Sequence, residues 1–167
     1  MNGKKVLVTG SGGLLGSHLV NGIPNSIGYS SQELDITKIQ HVSQILEKEK
    51  PDIIIHAAAF TDVEACETET DKAFEVNTIG TQNLVNCCID RDILFIFISS
   101  TGIYGSYKTE RYTEFDKVEP STIHHSSKYE AEKVVRNHLN KYLILRTGWI
   151  FGGSALHKKN FVYQRYM

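Results

Sequence analysis

The sequence lacks the features that mark a membrane protein or a nucleic-acid-binding protein. No apolar run approaches the roughly 18 residues that a membrane-spanning helix requires, and the N-terminus has no signal-peptide pattern. The formal net charge is only −1, from 18 basic and 19 acidic side chains, so neither nucleic acid nor an anionic membrane is an expected partner. We therefore expect a cytoplasmic protein.

Cysteine is scarce as well. Cys66, Cys87 and Cys88 are odd in number, two of them are adjacent, and their spacing matches no metal site. We expect buried, reduced thiols and no metal centre. With 167 residues, 41% hydrophobic, and no repeat or low-complexity segment, the chain is predicted to form a single domain over residues 1–167.

Apolar runs alternate with amphipathic segments along the chain. Strands are predicted at residues 4–9, 25–30, 53–57, 94–99 and 142–146, and helices at 14–21, 37–49, 71–89, 126–139 and 161–167. Because parallel strands need a crossover between them, this order predicts an α/β fold with a doubly wound parallel sheet. Ligands of such sheets bind at the carboxyl ends of the strands, where most of the special residues fall.

A glycine-rich stretch, TGSGGLLG at residues 9–16, follows the first strand and opens a helix. Gly10 permits the tight turn, Gly13 lets backbone N–H groups approach a pyrophosphate, and Gly16 lets the helix pack close to the strand. The helix N-terminus adds partial positive charge and free donors. This stretch predicts a Rossmann-like domain that binds a dinucleotide.

The group that binds the adenine ribose should lie about 20 residues further on. Glu33 fits by count, but it is predicted to lie past the end of the second strand. Ser30 and Ser31 occupy the strand end and would not repel a 2′-phosphate. The expected cofactor is therefore NADP(H) or NAD(H), with a slight preference for NADP(H).

Five stretches together resemble the extended short-chain dehydrogenase/reductase superfamily and, within it, the dTDP-4-dehydrorhamnose reductase family. They are VTGSGGLLG at 8–16, ELDIT at 33–37, PDIIIHAAAFTDV at 51–63, the positions Val76, Asn77, Gly80, Asn83 and Leu84, and LRTGWIFG at 145–152 followed by NFV at 160–162. The resemblance implies an NAD(P)H-dependent reductase that converts the 4-keto group of a nucleotide-linked deoxysugar into a hydroxyl.

The resemblance also implies which residues border the cofactor. They are Gly10, Gly13, Leu14, Leu15, Gly16, Asp35, Ile36, Ala58, Ala59, Thr61, Asn77, Ser99 and Lys128. Residues 13–15 would face the pyrophosphate, Asp35 and Ile36 the adenine, and the alanines with Thr61 the ribose and nicotinamide. His56, at the end of the third strand, is predicted to be a packing residue with at most a minor cofactor contact.

Ketone reduction needs a hydride on carbon and a proton on oxygen. In the family a serine or threonine hydrogen-bonds the carbonyl, a tyrosine gives the proton, and a lysine four residues later lowers the pKa of the tyrosine and holds the ribose. Ser100 matches the first position, and substrate contact is assigned to Ser100 and Thr101, although the family usually has aspartate at the position of Thr101.

The proton donor is the unusual position. The family's register fits without a gap at Pro120, Ser127, Lys128 and Glu132, which makes Lys128 the functional lysine and places His124 where the tyrosine belongs. Tyr129 and Lys133 have the same four-residue spacing, but Tyr129 falls at an ordinary helix position, and we interpret this second pair as a coincidence.

An imidazolium at residue 124 would lie beside Lys128, and the like charge would lower its pKa. We therefore expect weak or absent reductase activity with cofactor binding retained. The C-terminal substrate lobe is expected to begin near residue 148 and to be missing, which would leave Phe161, Val162 and Tyr163 uncovered and favour association, including homo-oligomers. Two alternatives stay open: a non-catalytic NAD(P)-binding pseudoenzyme or regulatory protein, and a nucleotide-sugar epimerase or dehydratase.

Overall fold

A computed structural model describes residues 3–152 of the chain. Five strands form one sheet in the order β2-β1-β3-β4-β5. They are β1 (Val6–Thr9), β2 (Ser26–Tyr29), β3 (Ile53–His56), β4 (Leu94–Ser100) and β5 (Tyr142–Thr147). Every neighbouring pair is parallel, which confirms the predicted α/β architecture. The predicted helix at 161–167, with its apolar residues, lies outside the described residues.

The described part of the chain contains six α-helices. They are α1 (Leu14–Gly22), α2 (Ile39–Glu49), α3 (Val63–Thr68), α4 (Thr70–Phe74), α5 (Gly80–Cys88) and α6 (Ile123–His138). A π-turn (Glu75–Ile79) joins α4 to α5, and a 3₁₀ turn (Thr101–Tyr104) follows β4. Within residues 3–152, no helix combines the length and the apolar character needed to span a membrane.

Two of the predicted helices need correction. The single helix predicted at 71–89 consists of α4, the π-turn and α5, and α3 before it was not predicted. The helix predicted at 126–139 begins earlier, at Ile123, because the Thr122 hydroxyl accepts a hydrogen bond from the His125 N–H at 3.2 Å and caps it. This earlier start places His124 inside α6.

Apolar side chains cover both faces of the sheet, because successive residues of a strand point to opposite faces. One cluster includes Leu7, Ile54, Phe95 and Phe97 and packs under α2, α5 and α6. The other includes Val6, Val8, Ile55 and Ile96 and packs against α1. On that second face, Leu143 and Leu145 of β5 remain 47% and 41% exposed.

The three cysteines form no disulfide. Cys66 and Cys88 are buried and Cys87 is half-buried. Burial raises the pKa of the Cys88 thiol to about 12. Buried, protonated thiols agree with the sequence-based expectation, and the described residues contain no group of side chains arranged to hold a metal ion.

Candidate functional site

The turn after β1 is built so that only glycine fits at two positions. Gly10 has a φ of +74°, and a Cβ on it would lie 2.7 Å from the backbone nitrogen of Ala58 after β3. A Cβ on Gly16 would lie 2.1 Å from the carbonyl oxygen of Gly10. The turn therefore joins the ends of β1 and β3, the point where the strand order reverses and where such sheets bind ligands.

The N-terminus of α1 faces this turn with free backbone donors. The first bond of the helix runs from the Ser17 N–H to the Gly13 carbonyl at 3.0 Å. The N–H groups of Leu14, Leu15 and Gly16 therefore have no acceptor within the helix. Three adjacent donors and the positive end of the helix dipole suit a diphosphate, which the family resemblance places against residues 13–15.

The end of β2 differs from its sequence-based description. The Glu33 carboxylate folds back and accepts hydrogen bonds from the Ser30 N–H at 2.9 Å and the Ser30 hydroxyl at 2.6 Å. These bonds hold the pKa of Glu33 below its usual value. Glu33 therefore does not lie away from the strand end, and an anionic group accompanies the serine there.

The two residues assigned to the adenine lie in different surroundings. Asp35 is half-buried, and its carboxylate accepts from the Thr37 N–H at 3.0 Å and the Thr37 hydroxyl at 2.7 Å. Ile36 is 5% exposed, and its side chain fills the space that a Cβ on Gly80 would need. The Ile36 side chain is thus part of the core, so Asp35 is the more accessible of the two.

A buried polar chain, which the sequence did not predict, runs behind the ends of β1 and β3. The Thr81 hydroxyl donates to the Asn77 carbonyl at 2.6 Å, so it accepts from His56 Nε2–H at 3.0 Å. His56 Nδ1 then accepts from the Thr9 hydroxyl at 2.7 Å. His56 is fully buried and neutral, since burial and the charge of Lys128 hold its pKa well below the usual value. Its ring packs in the core, which leaves no surface for the minor cofactor contact that was predicted.

Asn77 lies in the π-turn and extends this series of hydrogen bonds to α6. Its amide contacts both backbone groups of Phe60, accepting from the N–H at 2.8 Å and donating to the carbonyl at 3.1 Å. It also donates to the Ser127 hydroxyl at 2.9 Å, which donates to the His124 carbonyl at 2.8 Å. Asn77 thus fixes the loop after β3, which contains Ala58, Ala59 and Thr61, against α6.

The end of β4 supplies two serine hydroxyls. Ser100 Oγ accepts from the Gly102 N–H at 3.1 Å, which leaves its O–H available to a carbonyl. Ser99 Oγ is buried and has no hydrogen-bond partner among the described residues. Thr101 is exposed. A Cβ added to Gly148 would lie 3.5 Å from its hydroxyl oxygen, so Thr101 lies beside the backbone that follows β5.

His124 and Lys128 share one face of α6, because residues four apart on a helix are neighbours. Lys128 is 4% exposed and its Nζ lies 4.0 Å above the Phe97 ring. Its ammonium has no ion-pair partner within residues 3–152, since Glu132 on the next turn is paired with Arg136 at 2.6 Å and Arg146 at 2.8 Å. Burial lowers the pKa of Lys128 to about 7, although Glu132 raises it.

His124 is buried at the position assigned to the proton donor. Burial is the main cause that lowers its pKa to about 4, and the charges of His125 and Lys128 add to the effect. The sequence predicts the lowered pKa from like charge alone, whereas desolvation is the larger cause. Its Nδ1 has no partner among the described residues. At neutral pH the imidazole is uncharged and a poor proton donor.

The histidine that follows lies directly on the turn after β4. A Cβ on Gly102 would be 2.1 Å from His125 Nε2, so a side chain at residue 102 would require this ring to rotate away. The alternative pair, Tyr129 and Lys133, makes contacts within α6. Lys133 pairs with Glu130 at 2.5 Å, and its Nζ lies 5.2 Å from the centre of the half-buried Tyr129 ring. That this spacing is a coincidence stays an interpretation.

These groups meet at one edge of the sheet because the carboxyl ends of parallel strands lie together. The edge offers backbone donors for a diphosphate, a carboxylate for a ribose, an ammonium without a carboxylate partner and a serine hydroxyl with a free proton. This donor set fits a nicotinamide dinucleotide. At the position assigned to the catalytic tyrosine lies the imidazole of His124, which is neutral at pH 7.

Comparison with known proteins agrees with this geometry. Residues 4–165 match the family model described as RmlD substrate binding domain. A curated dTDP-4-dehydrorhamnose reductase of Aggregatibacter actinomycetemcomitans is 35% identical over 153 residues, which are 89% of this chain and 52% of that protein. A probable low-salt glycan biosynthesis reductase of Haloferax volcanii is 33% identical and covers 89% of this chain and 54% of its own length.

A solved structure shares the fold closely. The crystal structure of the dTDP-4-dehydrorhamnose reductase of Bacillus anthracis in complex with NADP superposes with a TM-score of 0.92 at 33% identity. The match covers 98% of this chain and 58% of that one. The chain thus spans little more than half the length of the relatives that it matches.

Proposed function

Because the chain belongs to the RmlD substrate binding domain family, we propose that it binds a nicotinamide dinucleotide and acts in reducing the 4-keto group of a nucleotide-linked deoxysugar. The observation that most supports the proposal is Lys128, a buried ammonium without a carboxylate partner on the same helical face as the donor position. Burial without a carboxylate partner lowers the pKa of Lys128 to about 7, so the amine is only partly protonated near neutral pH, and a ligand that accepts its hydrogen bonds would favour the charged form.

In this proposal each group at the sheet edge has one role. The N–H groups of residues 14–16 bind the diphosphate, and the Lys128 ammonium binds hydroxyls of the nicotinamide ribose. The Ser100 O–H donates to the substrate carbonyl and stabilises negative charge on its oxygen. The bound coenzyme supplies the hydride. His124, neutral at pH 7, supplies the proton poorly, and turnover is therefore slow.

A second function, binding without turnover, has its own support. With the pKa of His124 at about 4, its acid form is scarce at neutral pH. Losing a positioned general acid costs typically about 10²–10⁴ in rate. A pseudoenzyme that senses the coenzyme would retain the glycine turn and Lys128 and would need no proton donor. Epimerase or dehydratase chemistry is less well supported, since the quoted relatives are named as reductases.

Two measurements on the purified chain separate these functions. Calorimetric titration with NADH and NADPH tests binding, and Lys128→Met, which keeps the volume and removes the charge, should weaken it about tenfold or more. Lys133→Met is the matched control, because Lys133 lies on the same helix, is half-exposed and is paired with Glu130. Coenzyme oxidation with a dTDP-linked 4-ketosugar then tests turnover. Binding with slow oxidation supports the reductase, binding with none supports the pseudoenzyme, and no binding overturns both.

A further inference from the structure

We propose that the Glu33 carboxylate selects NAD(H) over NADP(H), an inference that rests on the proposed function. The choice between the two coenzymes depends on what surrounds the 2′-oxygen of the adenine ribose. In Rossmann-like sheets that oxygen lies at the end of the second strand, where an acidic residue accepts from a 2′-hydroxyl and a basic residue accommodates a 2′-phosphate.

The structure places this position beside Ser30. Strand β2 pairs with β1 so that Tyr29 lies opposite Thr9, and the Tyr29 carbonyl accepts from the N–H of Gly10 at 2.8 Å and of Ser11 at 3.1 Å. A Cβ on Gly12 would lie 3.6 Å from Ser30 Cβ. Ser30 therefore borders the glycine turn that is predicted to hold the diphosphate.

Glu33 brings its charge to that point and holds it there. Its Oε2 accepts both Ser30 donors, at 2.9 and 2.6 Å, so neither donor is free for a phosphate. Its Oε1 makes no hydrogen bond within the described residues and can accept from a ribose hydroxyl. The bonds from Ser30 lower the pKa of the carboxyl, which keeps it ionised at neutral pH.

No compensating cation accompanies the carboxylate. Among the described residues, no lysine or arginine pairs with Glu33, whose pKa responds only to the Ser30 bonds and to burial, whereas the charges of Lys38 and His41 act on the Asp35 carboxylate. A 2′-phosphate beside Ser30 would thus meet a negative charge and two Ser30 donors that already bind Glu33. The NADP complex of the Bacillus anthracis relative is a property of that protein. Selection of NAD(H) runs against the slight preference for NADP(H) expected from the sequence, and the ratio of dissociation constants decides between the two.

The test is a ratio of dissociation constants measured by calorimetry for NADH and NADPH. We expect the wild-type protein to bind NADH about 10-fold more tightly, from the Coulomb repulsion near a protein surface. Glu33→Gln keeps the shape and removes the charge, and it should bring the two constants within about twofold of each other. Glu47→Gln is the control, because that carboxylate is exposed on α2 and pairs with Arg91 at 3.3 Å.

A second pair of probes isolates the adenosine end. AMP and adenosine 2′,5′-bisphosphate both lack the nicotinamide. The wild-type protein should bind AMP, which has no 2′-phosphate, more tightly than the bisphosphate. Equal or tighter binding of NADPH by the wild type overturns the selectivity, as does a ratio that Glu33→Gln leaves unchanged. Binding of neither coenzyme overturns the proposed function and this inference with it. If Glu33→Gln does not fold, the wild-type ratios of dissociation constants, NADH to NADPH and AMP to adenosine 2′,5′-bisphosphate, still test the selectivity.

Discussion

His56 Nδ1 lies 2.7 Å from Thr9 Oγ1, and this contact ties the end of β3 to the end of β1 behind the glycine turn. On its other side the ring donates to Thr81 of α5, and the chain continues through Asn77 to Ser127 of α6. One buried polar chain thus connects the strand ends that would hold the diphosphate with the helix that contains His124 and Lys128.

Replacing His56 should destabilise the protein strongly. In His56→Phe the ring volume is similar, but inside the core the Thr9 hydroxyl loses its acceptor and the Thr81 hydroxyl loses one of its two partners, at a cost of about 2–4 kcal/mol. Urea denaturation measures the loss. His138→Phe is the control, because that side chain is exposed at the end of α6 and should change stability by less than about 0.5 kcal/mol. Equal losses in both variants would contradict the role of His56.

Stability should fall as the solution becomes acidic. The unfolded chain protonates His124 near pH 6.5, whereas the folded protein resists until about pH 4. Between these values the unfolded state binds more protons, so the free energy of unfolding decreases as the pH falls, on the order of 2 kcal/mol for this residue.

Comparing wild type with His124→Tyr isolates that contribution, since tyrosine does not titrate in this range. As the pH is lowered from about 7 to about 4, the unfolding free energy of the wild type should fall relative to that of His124→Tyr, and outside this interval the difference should stay constant. Paired carboxylates titrate lower, as Glu49 does with a pKa of about 2. A difference that stays constant across this interval would show that His124 is protonated equally in both states.

A methyl group at residue 16 should disrupt the glycine turn. In Gly16→Ala the Cβ would meet the Gly10 carbonyl oxygen at 2.1 Å, so the backbone must shift. We expect a loss of about 1–3 kcal/mol in stability and of measurable coenzyme binding. Gly22→Ala is the matched control, because a Cβ there meets nothing within 4 Å. It should bind like wild type; similar effects of both substitutions would argue against a close-packed cradle.

Restoring the phenol should restore proton donation. His124→Tyr places a hydroxyl on the helical face of Lys128, and we expect turnover with a dTDP-linked 4-ketosugar to rise by about 10²–10⁴. His124→Phe differs only by that hydroxyl and should not gain activity. All three proteins should bind the coenzyme with similar affinity by calorimetry. A tyrosine variant no faster than the phenylalanine variant would remove His124 as the cause of slow turnover.

The strands and the glycine turn could be predicted because their signals are local. Short runs of β-branched and aromatic residues bounded by turns define β1, β3 and β4, and the glycine spacing defines the first turn. The start of α6 had a signal too, in Thr122 as a capping residue, but the neighbouring Pro120 favoured a loop. Predicted contacts of Thr61, Ala58 and Ala59 with a cofactor stay predictions.

Contacts between residues distant in sequence could not be predicted. His56 meets Thr9 across 47 residues, and Asn77 meets Ser127 across 50, so no local pattern announces either bond. The fold-back of Glu33 onto Ser30 is local but depends on side-chain rotamers that composition does not determine. Burial, which dominates the pKa of His124, likewise depends on packing of the whole α6 face.

The half-exposed leucines of β5 have a practical consequence for work in solution. Leu143 and Leu145 lie two residues apart on one face of the sheet, so among the described residues their half-exposed side chains form a short aliphatic strip. Association at high concentration should depend on this strip more than on the near-zero net charge. A Leu145→Lys substitution should raise the solubility of the protein without touching the glycine turn after β1.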